Sequence, residues 1–220
     1  MSFVPTYIYF IAASFIASLS VFLMQKNKFS FLKYFSAFLL LTLIAEVYGS
    51  YLFSINRNNV VLYNFFSIFE FSFYFFIISL LIKNVRMRKI IRISIISYIF
   101  LAITNILFIQ GMQTFHTITY SLGCLLIVIF CIYYFLELFR FPKSEKLYTN
   151  PAFWICSALL FFYCCGFPLY GLIIYWDKNI PKLILNNLEN IFTILNISLY
   201  SLFIIAFLCI RTRKYTLSQS

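Results

Sequence analysis

Seven apolar stretches, each close to the ~20 residues that a bilayer-spanning helix needs, take up nearly the whole chain and leave no residues for a soluble domain. They fall at 6–24, 31–53, 60–82, 90–109, 118–139, 151–176 and 183–210. The segments between them alternate in charge. One set carries Lys26, Lys28 and Lys33; then Lys83, Arg86, Arg88, Lys89 and Arg92; then Arg140, Lys143 and Lys146; and finally Arg211, Arg213 and Lys214. The other set carries only Arg57, Lys178 and Lys182, so the 17 basic residues divide fourteen to three. Because basic loops stay cytoplasmic, this division predicts an all-α bundle that crosses the membrane seven times, with the N-terminus outside and the C-terminus inside. A bacterial inner membrane is the expected location.

Composition agrees with that class, at 63% hydrophobic and 10% charged residues. The net charge of +11 would suggest nucleic acid in a soluble protein. Here it is the loop bias together with attraction to anionic lipid headgroups, so the lipid bilayer is the expected partner and nucleic acid is not. The first apolar stretch follows no basic residue and precedes no small-residue cleavage site, which reads as a retained helix and not a signal peptide. Cys124, Cys131, Cys156, Cys164, Cys165 and Cys209 all lie in the spans, without the spacing of a zinc site or of a disulfide framework. They are expected to pack as small apolar residues, and no cofactor or metal is expected.

Carboxyl groups in hydrocarbon cost several kcal/mol on insertion scales, and they usually face a cavity, a partner or an ion path. Glu46, Glu70 and Glu189 lie inside the second, third and seventh stretches. Counted from the outer helix ends, all three sit ~9–15 Å deep. No basic residue in these spans lies at their depth, so the three either hold protons or bind a cation or an amine.

Tyr63, Asn64, Ser67, Glu70 and Tyr74 recur at helical spacing and cover about a third of the helix circumference. The seventh stretch repeats the arrangement with Asn186, Glu189, Asn190, Thr193, Asn196 and Tyr200. Thr42, Glu46, Gly49 and Ser50 add a polar edge to the second. Such stripes form either hydrogen-bonding seams between helices or the wall of a polar cavity. Seams need only Ser, Thr and Asn, so three carboxyl groups favour an outward-opening cavity. Gly166 and Pro168 in the sixth stretch are expected to kink it near that cavity. His116, the lone histidine, sits in the outer turn between the fourth and fifth stretches, where it would lid the cavity, sense pH or be simply solvated. Trp154 and Trp176, at opposite ends of the sixth stretch, suit interfacial anchoring.

Residues 64–74, NFFSIFEFSFY, align with 190–200, NIFTILNISLY, and Ser36-Ala37 and Tyr48-Gly49 have fainter echoes in Ser157-Ala158 and Tyr170-Gly171. Two triplets of like orientation joined by the fourth helix would make a 3+1+3 parallel repeat, an arrangement used by small transporters. Glu70 aligns with Asn196, so any symmetry is broken at the site.

Glu46-x-x-Gly49, Tyr63-Asn64-Phe65, Glu70-Phe71, Phe115-His116-Thr117 and Asn150-Pro151-Ala152-Phe153-Trp154 resemble a group of Bacteroidota-type bacterial seven-helix membrane proteins of this length, sometimes encoded near histidine kinases. The resemblance implies the topology and a sensor-like role, and it brings no activity with it. Several families are excluded on residues. A retinal protein needs a lysine in the seventh helix, and none lies between Lys182 and Lys214. One histidine cannot supply a zinc hydrolase, and Asp177 alone cannot supply an aspartyl intramembrane protease. No Gly-x-Ser-x-Gly elbow or phosphate-cradling glycine loop occurs. The expected function is therefore a ligand-binding sensor or receptor-like subunit that takes a small molecule, amine or cation and signals to a separate cytoplasmic protein. A small-solute or cation transporter is the alternative, and an intramembrane enzyme working through glutamates is the third. The apolar runs Phe75-Phe76-Ile77-Ile78 and Leu202-Phe203-Ile204-Ile205 predict a dry inner half, which favours the sensor.

Overall fold

Hydrocarbon offers no partner to a bare N–H or C=O, so an apolar chain of this length closes its backbone hydrogen bonds within helices. The computed structural model describes residues 5–24, 30–140, 147–175 and 182–218, with side-chain surroundings within 5–23, 34–140, 147–169 and 187–209. Seven long helices run in order: α1 (Thr6–Met24), α2 (Ser30–Ser54), α3 (Val60–Leu81), α4 (Val85–Thr104), α5 (Thr117–Arg140), α6 (Pro151–Tyr175) and α7 (Lys182–Ser218). All seven are long and apolar enough to span a membrane. The protein is thus a multi-pass bundle in contact with lipid. The start of α1, the α2–α3 turn and the α4–α5 connection share one end of the bundle, called here the amino face. The α3–α4 turn, the 3₁₀ turn Leu147–Thr149 and the end of α7 share the opposite face.

Sequential helices pack side by side, α1 closes the ring against α7, and α3 also packs on α5. Rings of α3 reach two further helices, Tyr74 meeting Tyr163 of α6 at 5.9 Å and Phe203 of α7 at 6.4 Å. The most buried of the spanning helices is α3, which carries one polar stripe on an otherwise apolar surface. Gly123 of α5 permits part of this packing, because a Cβ there would lie 2.9 Å from the Phe71 ring.

Helix ends follow local chemistry. The expected start at residue 90 moves back to Val85 because the Asn84 side chain accepts from the backbone N–H of Arg86 and Met87 and caps α4. The Glu137 carboxyl group of α5 accepts from Lys83 N and Asn84 N at 2.9 Å each, and Arg88 donates to Ile82 O at 2.8 Å, so the α3–α4 turn is closed on both sides. After Thr104 the chain widens into a π turn, Asn105–Ile109. The last helix outruns its expected end at 210, since nothing from Arg211 to Ser218 breaks a helix. Its 37 residues measure ~56 Å, well beyond the ~30 Å hydrocarbon core. Pro168 lies inside α6, which continues to Tyr175. Trp154 donates its indole N–H to Tyr148 O at 2.9 Å; Trp176 lies outside the described residues.

Candidate functional site

Glu46 and Glu70 enter the bundle from neighbouring helices, ~12 Å below the amino-face end of α2 and ~15 Å below that of α3. The Glu46 Oε2 atom accepts from the Tyr7 hydroxyl at 2.8 Å and from the Tyr63 hydroxyl at 3.1 Å. Both bonds fall on one oxygen, and Oε1 has no hydrogen-bond partner among the described residues. Gly49, one turn along α2, makes the Tyr63 contact possible, because a Cβ there would lie 2.8 Å from the Tyr63 Cζ. That clash explains the Glu-x-x-Gly spacing. On α3, the Glu70 Oε1 atom accepts from the Tyr163 hydroxyl of α6 at 3.2 Å, and the Tyr74 hydroxyl lies beside the same carboxyl group.

The two carboxyl groups share a cavity of about 310 Å³. Tyr7, Tyr63, Phe66 and Ser67 line it beside them, Phe115 and Tyr120 form the wall from the α4–α5 side, Phe162 comes from α6, and Phe192, Asn196 and Tyr200 come from α7. Among the described residues no lysine, arginine or histidine lines it. Aromatic rings make up most of the lining, interrupted by the polar side chains of Glu46, Ser67, Glu70 and Asn196. Among the described residues no group of three or more metal-ligating side chains occurs.

Toward the opposite face the cavity ends on packed rings. Tyr74 lies one turn beyond Glu70, fully buried. Phe38 stacks on Phe73 at 4.0 Å and meets Tyr74 edge-on at 5.2 Å. Phe35 lies edge-on to Phe203 at 5.3 Å and to Phe207 at 5.7 Å. These rings are buried apart from Phe73, which is half-buried, and they close the inner half of the bundle.

One wall is held by a polar network. Asn64 Nδ2 donates to Met112 O at 3.2 Å and Thr114 O at 2.9 Å, while its Oδ1 accepts from His116 N at 3.1 Å. The His116 ring is buried between Ser67 Oγ, 2.6 Å from Nε2, and Thr119 Oγ1, 2.7 Å from Nδ1. Both ring nitrogens are therefore hydrogen-bonded, one as donor and the other as acceptor in the neutral ring. Asn105, at the head of the π turn, donates to Thr119 at 3.1 Å and to Gln110 at 2.7 Å. Burial pushes His116 down to about 4, so the ring is neutral near pH 7. The α4–α5 connection is thus a fitted plug, with Phe115 and Tyr120 on its cavity side.

Of the residues expected at one site, Glu46, Tyr63, Ser67 and Glu70 line the cavity and Tyr74 lies under it. Asn64 and His116 do not line it; they pin its wall, and His116 is neither solvated nor a mobile lid. Glu189 and Asn190 are exposed and Thr193 is half-buried, all outside the lining, because Leu188, Leu195 and Leu199 take the inward face of α7. The three glutamates therefore do not converge: two share the cavity. The side chain of Asn186 lies outside the described residues. Tyr7, Tyr120, Phe162 and Tyr163 were not expected, and a single tyrosine among many aromatics carries no signal in sequence. Asn196 and Tyr200 stood in the α7 stripe and do reach the cavity. Compared with protein families, curated proteins and solved structures, the chain matches none.

Proposed function

We propose that this protein is a receptor-like subunit of a bacterial inner membrane, N-terminus outside, whose cavity takes a small ligand from the outer side and whose α7 carries the response to a cytoplasmic partner. The observation that supports this over transport is the ring-packed floor beneath Glu70, since a transporter must open its site to both sides in turn. The route for a signal is physical: α7 lines the cavity at Phe192, Asn196 and Tyr200 and continues as one helix to Ser218, ~27 Å beyond Tyr200. A ligand touching those side chains touches the same rod that carries Arg211, Arg213 and Lys214. The fourteen-to-three division of basic residues supports the orientation.

The test is thiol accessibility in proteoliposomes, in a background with the native cysteines replaced. Asn196→Cys is expected to react with a membrane-impermeant thiol reagent added at the amino face, and Phe203→Cys from neither face. Reaction of Phe203→Cys, or of Asn196→Cys from the opposite face, would overturn the receptor reading in favour of transport.

A further inference from the structure

Resting on the reading of the cavity as a binding site, we propose that its ligand is a small organic ammonium ion with N–H donors. The donors would reach the carboxyl groups of Glu46 and Glu70, and the apolar body would lie among the aromatic walls. Glu70 is largely enclosed by protein, with the Tyr163 hydroxyl on Oε1 and the Tyr74 hydroxyl beside the carboxyl group, and it borders the cavity. Both Glu46 bonds occupy Oε2. The site thus offers two carboxyl groups and, among the described residues, no basic side chain in its lining.

The surroundings narrow the class. An anion is disfavoured by two carboxyl groups with no cation among the described lining residues. A bare metal cation needs several oxygen ligands at short range, and calcium takes 6–8. Here Ser67 and Asn196 are the only other polar side chains among the described lining residues besides tyrosine hydroxyls, in a space of about 310 Å³, room for about ten waters. A neutral solute would leave both carboxyl groups without a counter-charge. An ammonium ion uses every part: its N–H groups make charge-assisted bonds to the carboxylates, and its charge lies over ring faces such as Tyr200 and Phe192. The carbon body fills what remains.

Calorimetric titration and melting curves of the full chain in nanodiscs at neutral pH test this with three probes. 2-Phenylethylammonium is expected to bind and raise the melting temperature. Tetramethylammonium, which has charge but no N–H, should bind about tenfold more weakly, and neutral 2-phenylethanol weaker still. Glu70→Gln should weaken 2-phenylethylammonium about tenfold. The probe comparison on the unaltered chain needs no variant to fold. Equal binding of 2-phenylethanol would overturn the ammonium assignment and leave the cavity reading standing. So would undiminished binding by a folded Glu46→Gln/Glu70→Gln variant. Silence of all three probes with Asn196→Cys still labelled would remove the ammonium class alone; silence with Asn196→Cys unlabelled would remove both readings.

Discussion

Helices α3 and α7 carry almost the same polar stripe and use it in opposite ways at one end and alike at the other. Asn64 is fully buried and holds three backbone groups of the α4–α5 connection, whereas the aligned Asn190 is exposed. Ser67 lines the cavity, whereas Thr193 does not. One turn further in, the two helices converge: Glu70 faces Asn196 across the cavity, and Tyr74 and Tyr200 are both buried. The difference lies in what surrounds each helix. Neighbours cover more of α3, including its whole polar stripe, while α7 is less enclosed and turns part of its stripe outward.

The largest expected effect is at the aligned asparagines. Asn64→Leu removes three hydrogen bonds and strands Met112 O, Thr114 O and His116 N in a buried turn, a cost of roughly 4 kcal/mol. Asn190→Leu should stay within about 0.5 kcal/mol. Denaturant unfolding of the two variants in detergent measures the gap. Comparable losses would mean that α7 is equally enclosed, and the contrast between the helices would be gone.

That contrast marks how far the sequence can be read. Seven helices were legible because backbone hydrogen bonding in hydrocarbon leaves one solution, and the apolar runs state it directly. The α3 stripe was legible for a related reason, since polar groups on the more enclosed helix need partners. The outward part of the α7 stripe was not, because a polar residue looks the same in sequence whether it faces a cavity or the edge of the bundle. His116 was misplaced on similar grounds: a histidine in a turn suggests solvent, and only the positions of Ser67 and Thr119 reveal a buried ring. Tyr7 and Tyr163 donate to the two glutamates from α1 and α6, and nothing in the order of the chain announces those pairings.

The second effect is on pH, at the wall that α3 holds and α7 does not. His116 titrates at about 4 when folded against 6.5 when free, so the unfolded chain binds its proton first. The contribution of His116 to stability is complete above 6.5 and is lost as pH drops toward 4, roughly 3 kcal/mol at the acid end. Melting curves from pH 4 to 8 should show this slope in the unaltered chain and lose most of it in His116→Gln. A slope unchanged in His116→Gln would place the titrating group elsewhere.

Smaller again is the effect of Gly49. A methyl group added at this position meets the Tyr63 ring, and overpacking of that kind costs roughly 2 kcal/mol. The ring must move, so Gly49→Ala should also break the Tyr63 bond to Glu46 and weaken 2-phenylethylammonium, while Gly49→Ala with Tyr63→Phe should lose less than the two changes summed. Additive losses would show that Gly49 and Tyr63 act apart.

The smallest expected effect is at Glu189, and it sharpens the comparison most. Glu46, Glu70 and Glu189 lie in the amino-face half of their helices, and a count of charges alone would assign all three to the ligand. Glu189 is exposed on α7, outside the cavity lining. Glu189→Gln should therefore change stability by no more than about 0.5 kcal/mol and leave 2-phenylethylammonium affinity where it was. Glu70→Gln, the same loss of charge on the more enclosed helix, should weaken that affinity. Since both substitutions keep the shape and remove one negative charge, a long-range attraction through the low-dielectric bundle would register in both, and a contact would register in one. Equal weakening by the two variants would mean that net charge and not the placement of Glu70 draws the cation, and it would dissolve the distinction between the buried and exposed stripes.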